Sequence, residues 1–168
     1  AMEVLLKAND MYNLGLPVES ARSKENVKEE KTYPYEYKSN EEYYVMIVCN
    51  SKSVRVNPLK VRLNDFNKES FRMSQLEVKS VMLNKQEILI TIETFENEDK
   101  ANDYTIAMFI TDYLFGGINQ DQYKILLISK ANYPKFFKKK NMDEYIELCN
   151  KKHKNDKNVI CYEKKSKK

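Results

Sequence analysis

Two apolar runs, residues 43–49 and 123–129, constrain the fold of this chain more than any other feature. Both runs are apolar at consecutive positions instead of at alternate ones. A strand with this pattern is buried on both faces, as happens when a sheet is covered on both sides. The sequence therefore predicts a sheet whose two faces both pack against other parts of the chain or against a partner.

Two further strands are predicted between these runs, at residues 76–83 and 87–95. The second of them carries isoleucine at every other position from Ile88 to Ile92, and a polar turn at 84–86 joins the two strands. This pattern is typical of a hairpin.

Two helices are predicted between the strands. The first follows Asn57, which we expect to cap it because a proline comes next. The second follows Asn97, a predicted cap as well, and runs to about Phe115, where the pair Gly116-Gly117 ends it.

The resulting order of strand, helix, strand, strand, helix, strand predicts the α+β class. It is the order of a ferredoxin-like βαββαβ core with a four-stranded antiparallel sheet. We expect the first and third strands at the centre and both helices on one face. Extra C-terminal helices are predicted at 133–140 and 142–152. These helices, a tyrosine-rich arm or a partner must cover the second face of the sheet.

Changes of composition divide the chain into three parts. Residues 1–40 are predicted to be an attachment, with a helix at 3–14, a flexible linker and an extended arm. Residues 41–150 form the ferredoxin-like domain, and residues 151–168 form a basic tail. An apolar run at 159–162 adds an edge strand or frays.

The composition argues against an enzyme. Among 168 residues there are three glycines and one histidine, His153. Gly15 and the adjacent pair Gly116-Gly117 match no glycine-rich nucleotide-binding loop. One histidine among lysines excludes most metal sites and most histidine-based catalysis. Three widely spaced cysteines show no disulfide or zinc pattern. We therefore expect no catalytic or metal-binding residue, no cofactor, no small-molecule substrate and no transmembrane segment.

Charge is distributed unevenly along the chain. Residues 130–168 hold 13 lysines and 5 carboxylates, a net charge of +8, which leaves −4 for residues 1–129. A basic end attracts an anionic partner. The alternatives are a solvated tail for this end and, for residues 132–140, an amphipathic helix docked on the sheet edge. The predicted partner-binding residues are the arm tyrosines and the lysines of the first C-terminal helix: Tyr33, Tyr35, Tyr37, Lys135, Lys138, Lys139 and Lys140.

RNA binding is a weaker hypothesis for this fold class. RNA-binding domains of this type stack bases on aromatic residues of the two central strands. The third strand here lacks such aromatics and carries Glu87 and Glu93, which would repel phosphate.

Several short motifs occur in a fixed order along residues 41–150. They are Tyr43-Tyr44-Val45, Val56 to Lys60, Asp65-Phe66-Asn67, Phe95-Glu96-Asn97 with Ala101 and Tyr104, Tyr123 to Ser129, Asn132-Tyr133 and Phe136-Phe137. Through these motifs, residues 41–150 resemble the C-terminal domain of tetratricopeptide-repeat lipoproteins of Bacteroidota, of the gliding-motility and type IX secretion type (the SprE/PorW group). The resemblance implies a cell-envelope location and a non-enzymatic protein-interaction role in an envelope assembly linked to secretion or gliding.

A looser resemblance suggests an alternative function. Sporulation-related repeat domains have a similar order of strands and helices, and they share a strand-ending phenylalanine followed by Asn97 and Ala101. This resemblance implies a peptidoglycan-binding or other glycan-binding module that uses the open face of its sheet.

Overall fold

A computed structural model of the chain describes residues 32–152, which contain one four-stranded antiparallel sheet and four α-helices. The α+β prediction is confirmed. The elements are β1 (Tyr43–Asn50), α1 (Val56–Ser70), β2 (Glu77–Met82), β3 (Glu87–Phe95), α2 (Glu98–Phe109), β4 (Tyr123–Ser129), α3 (Tyr133–Lys139) and α4 (Met142–Lys152).

The strand order is β2-β3-β1-β4, and all neighbouring strands are antiparallel. This order fits a ferredoxin-like core with extra C-terminal helices. The first and third strands are central, as the predicted βαββαβ order requires. β1 is buried along its length up to Asn50, and Ile47 lies between Ile90 of β3 and Ile125 of β4.

One face of the sheet packs against α1 and α2. Leu59 and Leu63 of α1 and Tyr104 and Met108 of α2 are fully buried there, in one cluster with Ile47 of β1. Burying such side chains contributes about 1.5–3 kcal/mol each. Both helices therefore lie on the same face, as the right-handed crossover rule predicts.

The second face of the sheet is covered by the C-terminal helices together with the arm, defined here as residues 33–37. Phe136 of α3 and Tyr145 of α4 are buried against Met46 and Leu126, and Tyr35 of the arm joins the same cluster. The sequence offered the arm, the C-terminal helices or a partner to cover this face, and the structure places both the arm and the helices there. A compact unit of the chain begins at Tyr33.

The first helix begins one residue earlier than its predicted cap. Arg55 takes the extended N-cap position without a side-chain hydrogen bond, and Asn57 lies inside the first turn. The prediction that Asn57 caps α1 is therefore wrong. Val54 is buried and Val56 packs against the same core. Because these two residues anchor the chain there, α1 begins at Val56, before the predicted cap.

The second helix ends earlier than predicted. Asn97 caps it as expected, since its side chain accepts a hydrogen bond from the Lys100 amide at 2.9 Å. However, α2 ends at Phe109 and not near Phe115. The guanidinium of Arg62 donates to the carbonyls of Tyr113 and Gly116, both at 3.0 Å, and so holds the following segment as a turn.

The remaining predictions about the chain ends lie outside the described residues. They are the helix at 3–14, the linker before the arm and the apolar run at 159–162.

Candidate interaction surface

The arm tyrosines face the domain to different degrees. Tyr35 is 7% exposed and its ring meets that of Tyr145 edge-on, with 5.1 Å between centroids. Tyr33 is half-buried against the same cluster. Tyr37 is 41% exposed, and its hydroxyl donates to the carboxylate of Glu98. In this conformation Tyr35 serves the packing of the domain itself.

The arm is fixed by Asn132, which lies between β4 and α3. The Glu36 amide donates to the Asn132 side-chain oxygen at 3.0 Å, and the Asn132 side-chain nitrogen donates to the Glu36 carbonyl at 2.6 Å. Asn132 is 4% exposed, and its own amide bonds to the Ser129 carbonyl at 3.0 Å. The buried side chain of Asn132 therefore binds the backbone of an extended segment through two hydrogen bonds.

Three of the four predicted lysines have contacts within the domain. Lys135 lies 3.8 Å from the Glu36 carboxylate, and Lys139 lies 2.8 Å from that of Glu144. Lys140, the left-handed C-cap of α3, places its ammonium 5.2 Å from the centre of the Phe137 ring. These contacts reduce the number of lysines that remain available to a partner.

Lys138 is the fourth lysine, and it lines a groove of about 500 Å³ between α3 and the second face of the sheet. We call this the α3 groove. Its lining includes Val81, Pro134 and Phe137 together with Lys79 and Glu93, whose charged groups pair at 2.8 Å. Among residues 32–152 no ion pair of Lys138 is found. The lining therefore carries a net positive charge at Lys138.

The α3 groove lies beside the free edge of β2. The Leu83 amide bonds to the Glu87 carbonyl at 3.0 Å, which makes this pair a hydrogen-bonded one. Hydrogen-bonded and non-bonded pairs alternate in antiparallel sheets. The register of β2 against β3 therefore directs the N–H and C=O groups of Val78, Ser80 and Met82 away from the sheet.

A second groove, of about 630 Å³, lies on the opposite face of the same edge strand. We call this the α1 groove. It is lined by Val54, Val56 and Ile88, with Arg55 as its one charged residue. Val81 and Met82 of β2 are 41% and 62% exposed between the two grooves. The free edge thus has a groove with a net positive charge on each side, mostly apolar on the α3 side and mixed polar and apolar on the α1 side.

The opposite edge of the sheet differs. By the same alternation, the Leu127 carbonyl of β4 points outward, and the Tyr145 hydroxyl of α4 donates to it at 2.7 Å. The Tyr145 hydroxyl therefore occupies one outward carbonyl of this edge, that of Leu127. Within residues 32–152, no comparable bond to the outward groups of β2 is found. An unpaired strand edge is a template for another strand.

Titratable groups near these surfaces are shifted mainly by burial. Burial raises the pKa of Tyr35 to about 12, with Glu144 adding to the shift. Burial also raises the pKa of the Cys49 thiol to about 12, which keeps it protonated and unreactive at neutral pH. Hydrogen bonds to Glu93 and Glu77 raise the pKa of Lys79, so this lysine stays charged.

Neither a metal-binding cluster nor a helix able to cross a membrane is found within residues 32–152. Residues 32–152 contain no group of three or more histidine, cysteine, aspartate or glutamate side chains that could hold a metal ion. None of the helices between these positions is both long enough and apolar enough to cross a membrane.

Comparison of the chain with protein-family models, with curated proteins and with solved structures finds no match. The two resemblances drawn from the sequence therefore stay predictions.

The sequence-based site prediction missed the edge of β2. The predicted strand order already placed this strand at an edge, because the first and third strands occupy the centre. The grooves beside it could not be predicted, since they are formed where α3 and the start of α1 approach β2 in space.

Proposed function

We propose that this chain is a non-catalytic protein-interaction domain whose partner adds an extended strand to β2. The open row of backbone groups on this strand, with a groove on each face beside it, carries the proposal. In strand addition, main-chain hydrogen bonds supply affinity and pockets for alternate side chains supply specificity.

The two grooves define the chemistry of the partner segment. Side chains of an added strand point alternately to the two faces, so one set would enter the α3 groove and the other the α1 groove. The lining of the α3 groove is mostly apolar and that of the α1 groove is mixed, and each has a net charge of +1, from Lys79, Lys138 and Glu93 in one and from Arg55 in the other. The partner segment that fits is extended and alternates apolar with acidic residues.

The resemblance to envelope lipoproteins supports placing this partner in a cell-envelope assembly connected with secretion or gliding. A glycan-binding role has less support, because the arm, α3 and α4 cover the sheet face that the glycan-binding modules use.

Selection of peptides from a random display library against the full chain tests the proposal. We expect enriched peptides to alternate apolar and acidic residues. Ser80→Pro removes an outward N–H while leaving the ladder to β3 intact, and it should weaken binding about tenfold, which corresponds to one or two lost hydrogen bonds. Ser80→Ala is the matched control, since it keeps the N–H and loses only the hydroxyl that accepts from Lys60.

Charge is tested separately. Lys138→Glu should weaken binding of the acidic peptides, whereas Lys100→Glu on α2, an exposed lysine outside both grooves, should not. Peptides that bind the Ser80→Pro variant as tightly as the unchanged chain would overturn the proposal.

A further inference from the structure

The surface beneath the arm is a built site for an extended peptide. We call it the arm slot and define it by Asn132, Phe136 and Tyr145. Asn132 is buried, and its side chain forms two hydrogen bonds with the backbone of one arm residue, Glu36. Phe136 and Tyr145 are buried in the cluster that receives the Tyr35 ring. This slot holds one occupant in the structure, which is the arm of the same chain.

The contacts between arm and slot do not depend on which molecule supplies the arm. They consist of the Asn132 pair, the Tyr35 ring contact and the exposed ion pair of Glu36 with Lys135. An arm from a second copy can make every one of them. Exchange of identical elements between protomers is a low-cost route to dimers for this reason.

The segment that joins the arm to β1 holds it only weakly in place. Lys38 and Glu41 form an ion pair at 3.3 Å in which the lysine is mostly exposed, and such pairs contribute about 0–1 kcal/mol. The Ser39 carbonyl accepts one hydrogen bond from the Glu98 amide at 3.0 Å. Straightening this segment breaks these two contacts and the bond from the Tyr37 hydroxyl to the Glu98 carboxylate, whereas the Asn132 and Tyr35 contacts form again in an exchanged pair.

We infer that the arm slot is an interaction surface between two copies of this chain, which exchange their arms at high concentration. Each arm then lies across the second sheet face of the other copy. This contact involves neither β2 nor its grooves, so its test is independent of the strand-addition proposal.

Cross-linking of two variants of the full chain, each with one introduced cysteine, tests the exchange. One carries Glu36→Cys and the other Lys135→Cys, whose native side chains approach to 3.8 Å, and both carry Cys161→Ser. Cys49 and Cys149 are buried and stay in place. The two variants are mixed, incubated at several concentrations and treated with a short bis-maleimide. We expect a cross-linked heterodimer. As long as most chains are monomeric, the fraction of chains in the heterodimer should rise in proportion to the protein concentration by mass action.

Three controls make the result decisive. Glu36→Cys mixed with Lys85→Cys, an exposed position in the β2–β3 turn, should give only background dimer. Adding Asn132→Ala to the test pair and to the double variant described next should reduce both cross-links, because it releases the arm from its own slot and from the slot of the other copy alike. One chain carrying both Glu36→Cys and Lys135→Cys should cross-link internally at low concentration. The inference is overturned if the double variant cross-links internally but the mixed pair gives no more dimer than background. It is overturned equally if the double variant does not cross-link at all.

Discussion

Asn132 and Glu36 lie 96 residues apart in the chain and are joined by two hydrogen bonds, at 3.0 and 2.6 Å, between one side-chain amide and one backbone residue. This contact attaches the arm to the second face of the sheet. The two bonds involve only backbone atoms of Glu36, and the Glu36 side chain points toward Lys135.

Replacing Asn132 by alanine should release the arm. We expect Asn132→Ala to lower the free energy of unfolding by about 1–3 kcal/mol, because buried hydrogen bonds are lost, and to increase binding of a hydrophobic dye as the second face opens. Urea denaturation and dye fluorescence measure the two effects. Asn141→Ala is the control. Asn141 accepts from the Glu144 amide at 3.2 Å at an exposed site, so its loss should not raise dye binding. Unchanged dye fluorescence in Asn132→Ala would mean that the arm does not shield this face.

The Tyr35 hydroxyl is buried and has no hydrogen-bond partner within the described residues. A phenylalanine would keep the ring contact with Tyr145 and remove the unpaired group. We therefore expect Tyr35→Phe to be neutral or stabilising in urea denaturation, and Tyr35→Ala to cost about 3 kcal/mol through loss of the ring. A clear destabilisation by Tyr35→Phe would argue against this buried position.

Tyr35 should also make the free energy of unfolding depend on pH in the alkaline range. The pKa of Tyr35 is raised from 10.0 to about 12 in the folded chain. The folded state therefore keeps its proton longer than the unfolded state, so this contribution is complete below pH 10 and is lost as pH rises toward 12. The free energy of unfolding should fall less steeply over this range in Tyr35→Phe than in the unchanged chain. Equal slopes, measured by urea denaturation at a series of pH values, would contradict the shift.

The two predicted caps should now behave differently. Asn97→Ala should lower the free energy of unfolding by about 1 kcal/mol, because its side chain bonds to the Lys100 amide at the start of α2. Asn57→Ala should have a smaller effect, since Asn57 lies inside the first turn of α1. Thermal and urea denaturation of the matched pair compare them directly. A larger loss for Asn57→Ala would place the cap of α1 at Asn57 after all.

The helix-side core contains one buried polar pair that can be tested by a double-mutant cycle. The Tyr104 hydroxyl donates to the Asn67 side-chain oxygen at 2.7 Å, and both residues are buried. Tyr104→Phe should cost about 1–3 kcal/mol, because it leaves the Asn67 oxygen unpaired. In Tyr104→Phe combined with Asn67→Leu the loss should be smaller than the sum of the single losses. Additive losses would show that the two groups do not interact.

The order of elements, the antiparallel sheet, its central strands and the cap at Asn97 could be predicted from the sequence. The elements and the cap depend on periodicity or capping chemistry within a few residues, and the sheet with its central strands follows from the order of these elements through the topology rules for such a core. The need for a covered second face also follows from the consecutive apolar residues of β1.

The identity of the covering elements was decided only by the tertiary structure. The sequence left the arm, the C-terminal helices and a partner as alternatives, and the structure places both the arm and the helices there, through contacts such as Asn132 with Glu36. The early end of α2 similarly depends on Arg62, about fifty residues earlier in the chain. Local patterns state which surfaces must be buried. The partner of each surface depends on how distant segments meet in space, and that is set by packing of the whole domain.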